Sequence, residues 1–122
     1  MKLEEFDRVV ERRIGLIRQV LGVKAGEYAT EADRLHNFKQ GAALLRVSPS
    51  EACLSYMSKH LVSVIDLVKS GNATQTQIDE KVGDAINYLI LLEATEAEAR
   101  TWRGQGPEAS HWLTEKDAKE TV

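Results

Sequence analysis

Apolar residues recur at intervals of three and four positions along most of this chain, and no stretch alternates apolar with polar residues as a half-buried strand does. Breaking residues are rare, because Pro49 and Pro107 are the only prolines and the eight glycines leave long stretches uninterrupted. The pattern therefore predicts an all-α fold built from four helices.

Helix start and stop signals set the expected boundaries. Ser48, Pro49 and Glu51 combine a capping hydroxyl, a proline at the first helical position and a glutamate able to reach back. Thr74 with Gln77 forms a second capping pair. The predicted helices run from Leu3 to about Val23, from Thr30 to about Arg46 with Asp33 as a capping partner, from Pro49 to Ser70 before a closing Gly71, and from the Thr74 cap to about Trp102.

Three of the predicted helices carry one apolar stripe each, which we expect to pack in a core. The stripes are Leu35, Phe38, Ala42 and Leu45 in the second helix; Cys53, Met57, Leu61, Val64 and Val68 in the third; and Ile78, Val82, Ala85, Leu89 and Leu92 in the fourth.

The first helix carries two apolar stripes, which is more than one neighbouring helix would cover. A homodimer is the simplest way to bury them, since a two-fold interface buries the same patch twice. The first stripe is Phe6, Val10, Ile14, Ile17 and Leu21, and the second is Val9, Leu16, Val20 and Val23.

Length and charge restrict the organisation and the partners of the chain. Its 122 residues are sufficient for one domain, which we place at residues 1–103, followed by a tail at 104–122. The net charge of −3 argues against a nucleic-acid polymer or an anionic membrane as partner. No membrane span or secretion signal is apparent, and Cys53 is the only cysteine, so we expect a cytoplasmic protein.

Polar residues on the fourth predicted helix are a candidate site. Glu80, Asp84, Asn87 and Tyr88 fall at helical spacing on one face. Two carboxylates one turn apart suit Mg²⁺, and the amide and the phenol suit phosphate or a sugar hydroxyl. The alternative is an ordinary solvated acidic pair that Lys81 neutralises.

The third predicted helix supplies His60 beside its apolar stripe, with Lys59 next to it. Together they are candidates for contact with a phosphate or a base. The alternative is a histidine at the edge of the core, bonded to a backbone carbonyl.

The segment between the first two helices and the start of the second helix provide a further group of candidates. Glu27 and Asp33 are candidates to complete the oxygen shell of the metal, Lys24 to contact phosphate, and Tyr28 or Phe38 to stack on a base, with Asn37 on the same helix face as Asp33. The alternative is that Tyr28 and Phe38 are core residues and that Asp33 only caps its helix.

These residues resemble the all-α nucleoside triphosphate pyrophosphatases of the MazG-like superfamily, particularly a small branch seen in phage genomes. The resemblance covers about residues 20–95. It is carried by Lys24-x-x-Glu27-Tyr28, Asp33-Arg34-Leu35-x-Asn37-Phe38, Met57-x-Lys59-His60, and Glu80-x-x-x-Asp84-x-x-Asn87-Tyr88.

The resemblance implies an intertwined homodimer or homotetramer that uses Mg²⁺ to split nucleoside triphosphates into a monophosphate and pyrophosphate. Asp79 to Asp84 looks like the family's metal-binding motif, with Lys81 in place of one glutamate. The family's other acidic motif would fall near Lys59 to Ser63, where no residue is acidic. Either Glu27 and Asp33 act as ligands instead, or a nucleotide pocket remains without the metal.

Three hypotheses follow for the function. The first is a Mg²⁺-dependent nucleotide pyrophosphohydrolase. Its metal would be held by Glu80 and Asp84, together with Glu27 or Asp33. Its catalytic residues would be Glu80, Asp84 and Glu27. The other candidates, Lys24, Tyr28, Asn37, Lys59, His60, Asn87 and Tyr88, would bind the nucleotide. The second is a binding protein that captures a nucleotide or a nucleotide-like signal without cleaving it, and the third is a purely structural helical oligomer.

Overall fold

The computed structural model describes residues 1–23 and 33–101, and 87% of these residues are helical, with no strand among them. The described helices are α1 (Leu3–Ile17), continued by a π-helical segment (Arg18–Val23), α2 (His36–Leu45), α3 (Pro49–Ser70) and α4 (Gln75–Arg100). The expected all-α class is confirmed. The predicted tail at 104–122 lies outside the described residues.

Local capping fixes the boundaries of α3 and α4 where the sequence predicts them. The Ser48 hydroxyl accepts from the Glu51 amide at 3.1 Å, and the Glu51 carboxylate accepts from the Ser48 amide at 3.0 Å. Thr74 and Gln77 form the equivalent pair at the start of α4. Gly71 closes α3 with a φ of 71°, a backbone conformation that favours glycine.

The start of α2 differs from the expected one at Thr30. Residues 33–35 are not helical, and α2 begins at His36. Asp33 accepts a hydrogen bond from the Leu35 amide at 3.0 Å, which holds a turn ahead of the helix. Thr30 itself lies outside the described residues.

The core lies where α2, α3 and α4 meet. Leu35, Phe38 and Cys53 form its buried cluster. Tyr56 and Tyr88 pack against it with partly buried rings. The largest helix interface is between α3 and α4, and the next largest is between α2 and α3. This arrangement places aromatic side chains of three helices side by side.

Part of each predicted stripe is exposed instead of buried. At about 1.5 Å per residue, α3 is about 33 Å long and α2 about 15 Å, so α2 covers only part of α3. The buried residues of α3 accordingly lie between Ser50 and Met57. Contrary to expectation, the stripe residues Leu45, Leu61, Val68 and Leu89 are exposed.

The first helix has no buried residue, although its apolar stripes predict a buried face. Its side chains Phe6, Val9 and Val10 are exposed. It contacts α4 through charged groups, because both carboxylate oxygens of Asp79 accept hydrogen bonds from Arg12. The expectation that this helix packs on two sides is therefore not met within one chain.

Candidate functional site

A pocket of about 280 Å³ opens between the π-helical segment, α2, α3 and α4. Its lining combines aromatic, amide, charged and aliphatic side chains, and we call it the site pocket. The described residues that line it are Val20, Leu21, Arg34, Asn37, Phe38, Tyr56, Asp84, Asn87, Tyr88 and Leu91.

The polar residues of α4 in this lining share one helix face. Asn87 and Tyr88 follow Asp84 by three and four residues, so each lies about one helical turn from Asp84. Asn87 is buried, with 8% of its surface exposed, whereas Asp84 and Tyr88 are partly exposed. The part of this polar face from Asp84 to Tyr88 therefore points toward the other helices, and the apolar Leu89 and Ile90 are exposed.

His60 of α3 lies against this face. Its Nδ1 atom is 3.5 Å from Oδ2 of Asp84, and its ring centre is 4.7 Å from that of Tyr88. Burial raises the pKa of the Tyr88 hydroxyl, and the charge of Asp84 raises it further, so this phenol is a neutral hydrogen-bonding group at pH 7. His60 thus contacts two residues of the site pocket but is not among its described lining residues, so its contact with a phosphate or a base stays a prediction.

The aromatic rings of the site pocket are in mutual contact. The Phe38 ring centre is 5.8 Å from that of Tyr56 and 6.1 Å from that of Tyr88, the latter in an edge-on arrangement. Such pairs stabilise each other beyond their area of burial. Phe38 belongs both to the core and to the pocket lining, so the two interpretations of this residue are compatible.

Five predicted site residues from two helices come together in the lining: Asn37, Phe38, Asp84, Asn87 and Tyr88. Lys59 is exposed on α3 and is not among the described lining residues. Lys24, Glu27 and Tyr28 lie outside the described residues, so their roles stay predictions.

Asp33 is occupied by interactions of its own. Its carboxylate contacts the Lys39 ammonium at 2.6 Å and accepts from the Leu35 amide at 3.0 Å. These two interactions hold the pKa of Asp33 below its ordinary value. Lys39 also reaches Glu98 at 2.9 Å. Asp33 therefore stabilises the turn ahead of α2 and does not cap the helix, because the N-cap residue is Leu35 and no side chain caps it. The role of Asp33 as a metal ligand stays a prediction.

Glu80 lies on a more exposed part of α4 than Asp84 does. Its side chain is 62% exposed, and its carboxylate is 3.5 Å from the Lys81 ammonium. Among residues 1–23 and 33–101, no group of three or more histidine, cysteine or acidic side chains is placed to hold a metal ion. The described residues do not by themselves fit Mg²⁺, which prefers several oxygen ligands.

Sequence reasoning left several lining residues without a role. Arg34 lies within one of the quoted motifs, and its charge next to Asn37 was the available signal. Tyr56 had no such signal, because its place depends on Gly41 of the neighbouring helix. A β-carbon on Gly41 would overlap the Tyr56 hydroxyl, so the glycine lets this ring lie close against α2.

Comparison of the chain with known protein families, with curated proteins and with solved structures finds no match in any of the three. None of the described helices has the length and apolar character needed to cross a membrane.

Proposed function

We propose that this chain binds a nucleotide, or a small molecule resembling one, in the site pocket. The observation that carries the proposal is the composition of the lining. Three aromatic rings, two carboxamides, the Arg34 guanidinium and the Asp84 carboxylate surround one cavity. Aromatic and amide groups suit a heterocyclic base, and a guanidinium suits phosphate oxygens.

The size of the pocket supports a small ligand. Its volume of about 280 Å³ is close to the lower end of the roughly 300–1,000 Å³ that is typical of small-molecule sites. The described lining would therefore enclose the base and leave the charged groups of a nucleotide nearer to solvent. Arg34 and Asn37 are exposed members of the lining that would meet those groups.

Binding is tested by thermal denaturation of the full chain with each common nucleoside, monophosphate and triphosphate, with and without Mg²⁺. A ligand that binds only the folded state at 100 times its Kd stabilises it by about 2.7 kcal/mol, which raises Tm. We expect at least one nucleotide to do so.

A matched pair of variants locates the binding. Asn37 lines the site pocket, whereas Gln40 is an exposed amide of the same helix outside its described lining. We expect Asn37→Ala to reduce the ligand-induced rise in Tm and Gln40→Ala to leave it unchanged. Equal behaviour of the two variants, or no stabilising nucleotide at all, contradicts the proposal.

Nucleotide pyrophosphohydrolysis is the second candidate function. It is favoured by a carboxylate, that of Asp84, in the same lining as the aromatic rings, with His60 beside it. A metal site there would need Glu80 or Glu27 in addition. Release of pyrophosphate from a triphosphate that requires Mg²⁺, and is lost in Glu80→Ala with Asp84→Ala, supports hydrolysis. Binding without turnover supports the binding protein alone.

We also propose that the chain acts as a homodimer or homotetramer. Exposed apolar side chains follow helical spacing on α3 at Leu54, Leu61, Ile65 and Val68, and others line α1. Surfaces of this kind mark protein contacts more often than free surface. Light scattering during gel filtration is expected to give a mass of two or four times 13.6 kDa. A single-chain mass at every concentration contradicts this proposal.

A further inference from the structure

Two side-chain atoms of α4 are buried without a hydrogen-bond partner among the described residues, Oδ1 of Asn87 and Nε of Arg100, and of these two residues only Asn87 lines the site pocket. Thr95, also buried, donates its hydroxyl proton to the Leu91 carbonyl at 2.7 Å. Asn87 is 8% exposed, and its Oδ1 atom has no hydrogen-bond partner among the described residues. An unpaired buried acceptor is destabilising, so a group that donates a proton to it is expected.

Asn87 is placed to meet such a donor from a ligand. It lines the site pocket, and the torsion at the end of an asparagine side chain is broad, so the carboxamide turns at little cost. Phe38 and Tyr88 line the same cavity, and the His60 ring lies against that of Tyr88 with 4.7 Å between the ring centres. The buried part of the lining therefore suits a flat ring that carries N–H groups on its edge.

The charged side chains of the site pocket favour one orientation of a bound nucleotide. The Asp84 carboxylate lies one helical turn from Asn87, so the lining near Asn87 holds acceptors and a negative charge that repel phosphate oxygens. Arg34 is an exposed part of the lining and carries a positive charge. Phosphate groups are therefore favoured at the exposed side and the base at the buried side.

We propose, building on the proposed function, that Asn87 recognises the hydrogen-bonding edge of the base and not the phosphate or the sugar. A carboxamide offers an acceptor beside a donor, and it pairs with a ring edge that offers a donor beside an acceptor. Asn87 is then the residue that selects among ligands by their edge chemistry.

The test uses ligands whose ring edge is blocked by methylation. Affinities of the full chain are measured by calorimetry for four nucleoside monophosphates and for versions with the edge N–H groups methylated, such as N3-methyluridine and N1-methylguanosine monophosphates. For the base that binds most tightly, we expect methylation to weaken binding by about tenfold or more. Inorganic pyrophosphate is measured alongside and is expected to bind more weakly.

Asn87→Leu shows whether Asn87 is the residue that recognises the edge. This variant is expected to lose affinity for the unmodified ligand by a similar factor and to show no further loss on methylation. Asn72→Leu, which changes an exposed amide outside the described lining, is the matched control and is expected to retain the methylation effect.

The possible failures are distinguishable. If a monophosphate binds the wild-type chain and methylation of every edge N–H leaves its affinity unchanged, the inference about Asn87 is overturned and the proposed function stands. The same holds if methylation weakens binding equally in wild type and Asn87→Leu. If no nucleoside, monophosphate or triphosphate binds the wild-type chain, the proposed function fails and this inference fails with it. If only triphosphates bind, the methylated triphosphates take the place of the monophosphates in this test. The effect of methylation on affinity is measured on the wild-type chain alone, so this part of the test does not depend on how any variant folds.

Discussion

Two regions of this molecule meet at the site pocket and are held in different ways. The region formed by α2, α3 and α4 is joined by burial, with Leu35, Phe38 and Cys53 at its centre. The α1 region has no buried residue and is joined to α4 through the Arg12–Asp79 ion pair. The lining residues of α2, α3 and α4 are therefore fixed by packing, whereas Val20 and Leu21 follow a helix that is held by an ion pair, which salt screens.

The largest expected effect comes from shortening a core aromatic residue. Phe38 is 6% exposed and Phe6 of α1 is 55% exposed, so the same change to alanine compares the stability that each region gains from burial. We expect Phe38→Ala to lower the free energy of unfolding by about 3–5 kcal/mol, through lost burial and a cavity. Phe6→Ala is expected to change it by no more than about 0.5 kcal/mol in dilute solution. Urea denaturation of both variants is the measurement, and equal losses contradict the comparison.

An intermediate effect is expected where Gly41 of α2 lies against Tyr56 of α3. The methyl group in Gly41→Ala overlaps the Tyr56 hydroxyl, so the ring has to shift within the packed region. Overpacking of this kind is expected to cost about 1–3 kcal/mol, measured by urea denaturation.

Removing the hydroxyl sharpens this test. If the overlap with Tyr56 is the cause, Tyr56→Phe combined with Gly41→Ala recovers part of the lost stability. A double variant as unstable as the sum of the two single variants shows that the strain lies elsewhere.

The smallest effect is expected at the ion pair that joins α1 to α4. Hydrogen bonds from Arg12 and then from Gln75 hold the pKa of Asp79 well below its ordinary value of 3.8. A carboxylate with a lowered pKa in the folded state stabilises that state above its unfolded pKa, and the contribution is lost as pH falls toward the folded pKa. Asp79→Asn is therefore expected to be slightly less stable than wild type at pH 7, with the difference shrinking below about pH 4.

Asp66→Asn, which changes an exposed carboxylate of α3, is the control for this experiment. The Asp79→Asn difference is also expected to shrink as salt is added, because Arg12 is exposed and Asp79 is partly exposed. Thermal denaturation across pH and salt is the measurement. A difference that grows as pH falls is the opposite of the expected sign and contradicts the role given to Asp79.

The sequence predicts correctly those helix ends that are set by residues close together in the chain. The caps at Ser48 and Thr74 and the closing Gly71 involve residues three positions apart or fewer, and all three are confirmed. The start of α2 was predicted too early, because residues 33–35 form a turn ahead of His36. Asp33 was predicted to cap the helix but stabilises this turn instead, and its contact with Lys39 depends on how the turn folds.

The candidate site could be predicted only in part, for a similar reason. Asp84, Asn87 and Tyr88 share a face by helical spacing alone, and spacing does place them together. Spacing along one helix does not show which face is turned inward, so the exposure of Leu89 was not foreseen. Tyr56 depends on a glycine in another helix, and no pattern within its own helix shows that.

The π-helical geometry of the segment Arg18–Val23 determines which of its side chains face the site pocket. Its hydrogen bonds reach back five residues instead of four, so it holds more residues per turn than the helix before it. Val20 and Leu21 belong to different apolar stripes in an α-helix, yet both line the site pocket. Removal of a single residue between Ile17 and Val20 would turn the following side chains by about 100° around the helix axis. Natural variants that keep this pocket are therefore expected to conserve the length of the segment more strictly than the identity of its residues.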